Sequence, residues 1–171
     1  MRHLRFILVV NGSLARPMTD WSRVPTFGNR ADSPMVRPSA YAIINDRSQR
    51  LAVVHTPLGL FLPGGGSEAL ETPEETVSRE TREECGLTIL VGAWRGRAVE
   101  HVFAAAEDTQ FEKRSTFCDA TIVDRLVESS EANHTLEWIS AADAAELLTP
   151  ASHRWAVTAW LASAERQHED S

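Results

Sequence analysis

The chain has 171 residues, enough for one domain with a substantial core and short for two. Apolar residues make up 43% and charged residues 24%, the balance of a soluble globular protein, and no apolar run approaches the ~20 residues of a membrane span. A net charge of −7 leaves no basic excess to neutralise a phosphate backbone, which argues against nucleic-acid polymers as partners, and two cysteines are too few for a disulfide framework.

Residues 1–36 read as an N-terminal extension. Arg2, His3 and Arg5 before an apolar run at 6–10 are faintly like a signal peptide, but the run is short and no small-residue cleavage site follows, so a cytoplasmic protein is expected. Residues 4–10 suit an added strand. The stretch that follows is irregular and rich in proline and glycine, with Trp21 and Phe27 as anchors to the domain surface.

The domain proper spans 37–166. Strands at 40–44 and 51–55 flank a turn at 45–48 and are expected to pair as a hairpin. Apolar residues 60–62 then deliver the chain to Pro63, Gly64, Gly65 and Gly66. A helix follows: Thr72 suits the N-cap, Pro73 the first helical position, Glu74 and Glu75 the positive end of the dipole, and Gly86 the stop. Further strands are expected at 88–93, 97–106, 115–123 and 136–139, with polar loops at 107–114 and 128–135. Ser140 and Asp143 mark the start of a helix over 141–148. A last helix begins at Thr149 and Pro150, its Val157, Trp160, Leu161 and Ala164 forming a core stripe, and residues 167–171 form a frayed tail. Helix flanked by strands gives an α+β or α/β layered domain.

Residues 65–87 carry the chemistry. Glu80, Glu83 and Glu84 stand at i, i+3 and i+4, so their carboxylates project toward one side of a helix, one turn apart. Like charges this close repel, and a hard divalent cation such as Mg²⁺ resolves the conflict by taking carboxylate oxygens together with waters and substrate phosphates. Arg79 lies four residues before Glu83 and eight after Glu71, placed to tie the loop carboxylate to the helix without approaching the metal. The glycines leave backbone groups open to phosphates.

This stretch resembles the Nudix box, G-x5-E-x7-R-E-U-x-E-E-x-G-U with U a bulky apolar residue. Gly65, Glu71, Arg79, Glu80, Glu83, Glu84, Gly86 and Leu87 fall on its fixed positions. Thr81 departs from the first U, and Leu70 stands where the family often has glycine. The resemblance, which covers roughly residues 37–165, implies an α/β/α sandwich with a mixed sheet and the box helix packed on it. It also implies a hydrolase that cleaves a pyrophosphate linkage with Mg²⁺ or Mn²⁺, acting on a small phosphorylated molecule, and it allows a homodimer. It makes the Gly64 carbonyl a metal ligand beside Glu80, Glu83 and Glu84, and leaves the general base open between a box glutamate and an acid from a distant loop.

Within the box, Glu80 or Glu83 suits the base. Outside it the acids are Glu100, Glu107, Glu112, Glu128 and Glu131, of which Glu131 is placed best, in the loop before the strand of Trp138. Arg37 and Tyr41 enter the first strand, where an Arg fork suits a terminal phosphate and a ring suits a base. His101 and His134 could each touch a substrate but are better read in ordinary surface or core roles. The family's marks for ADP-ribose and dinucleoside polyphosphates are absent near Phe103, which leaves a nucleoside di- or triphosphate or a derivative. Two rival readings are a nucleotide-sensing module without turnover, and an enzyme of a non-nucleotide diphosphate.

Overall fold

The computed structural model describes residues 20–125 and 132–169; the expected strand at 4–10 and the acids Glu128 and Glu131 lie outside them. Its elements run β1 (Thr26–Phe27), β2 (Met35–Ile44), β3 (Arg50–Thr56), β4 (Gly59–Phe61), β5 (Gly64–Gly66), α1 (Pro73–Cys85), β6 (Leu87–Ala104), β7 (Thr109–Arg125), β8 (Thr135–Ser140), α2 (Ala141–Leu147) and α3 (Ala151–Glu169). They build a mixed five-stranded sheet ordered β1-β6-β7-β2-β5 and a three-stranded sheet ordered β4-β3-β8. No helix among the described residues is long and apolar enough to cross a membrane.

Strand β2 is the axis of the fold. Residues 39–44 are all buried, and by strand alternation they serve two cores. Ala40, Ala42 and Ile44 pack with Val77 of α1 and with Leu87, Cys118 and Ala120. Tyr41 and Ile43 pack on the other side with Leu51, Val53, Phe117, Ala144 and Val157. The sheet is therefore covered by α1 on one face and by α2 and α3 on the other, an α+β sandwich.

The expected hairpin between 40–44 and 51–55 does not form. Strand β2 pairs in parallel with β7 along ten residues and antiparallel with β5, so both of its edges are taken. Strand β3 instead joins β4 and β8, and the pairing between the two segments is reduced to the isolated Asn45–Leu51 bridge at the turn. Asp46 stabilises the turn between them by accepting from the backbone N–H groups of Ser48 and Arg50, at 2.8 and 2.9 Å.

The expected break between 88–93 and 97–106 is also absent. Gly92 and Gly96 sit within the continuous strand β6, where register shifts against β7 at 91/94 and 94/96 absorb the irregularity as bulges. The expected polar loop at 107–114 shortens to a turn over residues 105–108, and β7 begins at Thr109. Helix α3 continues to Glu169, into the stretch expected to fray. Phe27 packs against the α3-side core, and Arg97 and Arg114 lie over the Trp21 ring at 5.0 and 5.9 Å, so both aromatics anchor the segment before β2.

Thr81, the residue at odds with the box pattern, is fully buried within α1, and its Oγ1 has no hydrogen-bond partner among the described residues. A buried hydroxyl left without a partner costs about 1–3 kcal/mol, and valine has nearly the same shape without that polar atom. Thr81→Val is therefore expected to raise stability by about 1 kcal/mol. A urea titration at unchanged m-value checks this.

Candidate active site

The site is built on a local frame. Thr72 Oγ1 accepts from Glu75 N–H at 3.2 Å while Glu75 Oε2 accepts from Thr72 N–H at 2.8 Å, a reciprocal box that fixes where α1 starts. In the preceding loop Glu71 accepts from Glu68 N–H at 2.9 Å and from the Thr76 hydroxyl at 3.0 Å, which orients its carboxylate toward the helix. Leu70, fully exposed at φ 72°, takes the left-handed turn that glycine usually fills.

Arg79 gathers this loop and the helix into one network. Its Nε and Nη2 donate to the two oxygens of Glu71 at 2.7 and 3.0 Å, and Nη2 also donates to the Gly66 carbonyl at 3.1 Å. Its Nη1 donates to Glu80 at 2.9 Å and to Glu83 at 3.0 Å. Arg79 ties the loop to the helix as expected and also meets Glu80 and Glu83, because one planar fork has enough donors to serve all three acids. The guanidinium holds the Glu71 carboxyl at about 2, well below the usual range.

Glu84 faces the glycine turn. It is 8% exposed, its Oε2 accepts from Gly64 N–H at 3.0 Å, and its Oε1 lies 4.0 Å from His134 Nε2. The turn requires glycine for two separate reasons. Gly64 has φ 133°, and a Cβ there would lie 2.2 Å from the Ala40 carbonyl oxygen. A Cβ on Gly65 would lie 2.6 Å from the Glu80 carboxylate, so the bare backbone is what lets that carboxylate rest on the turn.

A cavity of about 440 Å³ opens from this turn. Gly64, Gly65, Gly66, Glu84 and His134 line one side, Arg37, Ser39, Tyr41 and Lys113 come from β2 and β7, Leu58 and Phe61 from the β3–β4 hairpin, and Glu107 from the β6–β7 turn. Arg37 is thus placed with the box residues. Tyr41 lines the cavity too, but it is 4% exposed, with its ring centroid 5.8 Å from that of Phe117 and 4.1 Å from that of His153. The expected open ring face for a base is therefore absent at Tyr41, because the core uses it. Burial holds its hydroxyl pKa well above the ordinary tyrosine value.

The acids outside the box separate by position. Glu100 is committed to the start of α3, where it accepts from Ala151 N–H at 2.9 Å, Ser152 N–H at 3.2 Å and Ser152 Oγ at 2.5 Å. Glu112 is buried against Arg114, whose Nε donates to it at 2.8 Å. Neither lines the cavity, whereas Glu107 does. Lys113, Leu58 and Phe61 escaped the sequence reading, and His134 was set aside by it. Lys113 fell in a stretch read as a loop, and the alternation of Lys113, Ser115 and Phe117 is the signal that would have placed it on a strand.

His153 supports the cavity from behind. It is buried, its Nδ1 accepts from Leu62 N–H at 3.1 Å, and its ring packs edge-on against Phe61 and Phe117. Burial pushes its pKa down to about 3 from 6.5. The unfolded chain thus binds this proton first, so the contribution is complete above pH 6.5 and is lost as pH falls toward 3. Against His153→Asn, which keeps an acceptor and does not titrate, the native chain is expected to lose an extra ~1.4 kcal/mol per pH unit below 6.5. Denaturant titrations at pH 7, 6 and 5 measure that difference. The two thiols are structural: burial pushes Cys118 up to about 12 and raises Cys85 as well.

The donors around the turn are oxygens, the type that Mg²⁺ and Mn²⁺ select. The clearance at Gly65 for the Glu80 carboxylate fits a group held between turn and helix. Among the described residues, however, no three His, Cys, Asp or Glu side chains stand close enough together to hold a metal ion. Arg79 Nη1 bonds both Glu80 and Glu83, whereas Glu84 is turned to the Gly64 N–H. The set fits a hard cation by donor chemistry, and Arg79 is the group such a cation would compete with.

Comparisons with known proteins agree with this architecture. Two Mycobacterium tuberculosis strains carry a protein named "Putative 8-oxo-dGTP diphosphatase 3" that is 31% identical over 86 residues, half of this chain and 39% of the relative. The chain thus spans about two fifths of the length of the curated relatives it matches. Among solved structures, a NUDIX hydrolase from Nitrosomonas europaea superposes with a TM-score of 0.59 at 19% identity, covering 77% of this chain and 90% of that one. A MutT protein from Methanosarcina mazei gives 0.59 at 21% identity, covering 75% and 94%. At these identities the structures speak for the fold. The model of the NUDIX domain matches residues 35–161, which take in β2, the capped helix with its Arg79 network and the start of α3, and the chain accordingly belongs to the Nudix family.

Proposed function

We propose that the protein is a Mg²⁺-dependent hydrolase that cleaves the pyrophosphate linkage of a nucleoside di- or triphosphate, or of a nucleoside diphosphate derivative, by attack of water at phosphorus. The observation that carries this reading is the meeting of Glu84, the glycine turn and Arg37 around one cavity, with the Glu80 carboxylate resting against Gly65 of that turn. A divalent cation held by Glu80, Glu83, Glu84 and the Gly64 carbonyl would offset phosphate charge and lower the pKa of a bound water.

The remaining roles fall to the chain itself. Glu80, whose carboxylate rests against Gly65 of the cavity-lining turn, or Glu83 one helical turn on, is the acceptor we assign to the proton of the attacking water. Glu71 and Arg79 keep loop and helix in register. Arg37 offers a fork to a phosphate, and Leu58 and Phe61 supply apolar surface for the rest of the molecule. The name of the tuberculosis relatives makes 8-oxo-dGTP the first triphosphate to try.

The test is a screen of nucleoside di- and triphosphates, including 8-oxo-dGTP, and of nucleotide sugars with Mg²⁺, Mn²⁺ or EDTA. The readouts are released phosphate, pyrophosphate and monophosphate. Metal-dependent release that EDTA abolishes is the expected result. Binding of a nucleotide without turnover under any metal would favour the sensing module, and turnover of only non-nucleotide diphosphates would favour the other rival.

A further inference from the structure

The register of the five-stranded sheet sets Arg37 of β2 directly beside Lys113 of β7, and Lys113 beside Glu100 of β6. Cross-strand partners share a face, so the three form one row on the side that carries Tyr41 and Phe117. Like charges directly opposite one another destabilise a sheet. Arg37 and Lys113 are such a pair, and both line the cavity.

Nearby carboxylates answer this charge only in part. Glu100 spends its oxygens on three donors at the start of α3. Glu107 reaches Arg37 at 3.7 Å, long for an ion pair, with the two side chains 45% and 55% exposed. A contact of that kind is worth ~0–1 kcal/mol and yields readily to a stronger anion. Burial and the neighbouring Arg37 charge also lower the Lys113 pKa, the direction expected of a cation whose counter-ion is incomplete. Arg37 packs over the glycine turn, its Nε 2.9 Å from where a Cβ on Gly66 would stand, so the pair borders the box.

We infer that Lys113, acting with Arg37, forms an anion subsite for a phosphate group of the substrate, and that Glu107 is its displaceable counter-anion, which lowers affinity for that phosphate. This rests on the reading of a phosphorylated substrate given above. An ammonium and a guanidinium side by side suit a phosphate, whose oxygens accept from both.

Three variants test it on the full chain: Lys113→Gln, Lys113→Arg and Glu107→Gln. Two readouts are compared, the KM and kcat for the best substrate of the screen, and the calorimetric Kd for inorganic pyrophosphate in EDTA. Losing one charge-assisted contact predicts about a tenfold rise in KM and in pyrophosphate Kd for Lys113→Gln, with a smaller fall in kcat. Lys113→Arg is expected to recover most of both, and Glu107→Gln to tighten both about threefold with a stronger dependence on salt, because the subsite is then more positive. Glu107 is exposed in a turn, so its variant folds even if a change at Lys113 does not. Unchanged pyrophosphate affinity in Lys113→Gln, or weaker affinity in Glu107→Gln, overturns the inference. The two readings fail separately: pyrophosphate binding that depends on Lys113 in a chain without turnover keeps the subsite and sinks the hydrolase, and turnover indifferent to Lys113 does the reverse.

Discussion

Glu84→Gln is expected to lower kcat by about 10²–10³ while the folded state survives, the size of loss seen when one group that stabilises transition-state charge is removed. Glutamine keeps an oxygen that can accept from the Gly64 N–H, the 3.0 Å contact that seats residue 84 against the turn. What it removes is the negative charge, and a hard cation is held by charge. Glu83→Gln should behave alike, since its amide oxygen can still accept from Arg79. The check is steady-state turnover beside thermal unfolding. Melting temperatures near that of the native chain with turnover near background support the proposed chemistry. Full turnover in both variants would overturn it, because no cation site could then depend on these carboxylates.

The helix frame of the candidate site was legible in the sequence because its rules are local. The capping pair Thr72 and Glu75 lies within one turn, Glu80, Glu83 and Glu84 fall on one helical side, and the reach from Arg79 to Glu71 spans eight positions. Partner choice between strands is not local. The hairpin expected of 40–44 and 51–55 lost to pairing with β7, whose Ser115 meets Ser39 at 2.9 Å from 76 positions away. Lys113 was lost for the same reason: only the register shows that it sits beside Arg37. Glu100 looked like any acid until α3 was packed against β6, when its carboxylate became the cap of a helix 51 positions on. Tyr41 shows the converse case: a ring that suits a base on sequence lines the cavity, while most of its area is packed into the core around β2.

Arg79→Ala is expected to destabilise the protein by about 3 kcal/mol and to reduce turnover more than a hundredfold, because one side chain serves both purposes. Its removal leaves the Glu71, Glu80 and Glu83 carboxylates without their shared cation and the Gly66 carbonyl without its donor. Three acids would then repel across the interface between loop and helix. Arg79→Lys keeps the charge but lacks the fork, so it should restore part of the stability and little of the activity. Added Mn²⁺ separates the two functions. If Arg79 only neutralises charge, a cation can replace it and saturating Mn²⁺ should recover the stability of Arg79→Ala. If Arg79 also sets the position of Glu71 against the helix, turnover stays low at every metal concentration. The geometry favours the second outcome: both oxygens of Glu71 are held by Arg79, in parallel bonds that a spherical ion does not reproduce.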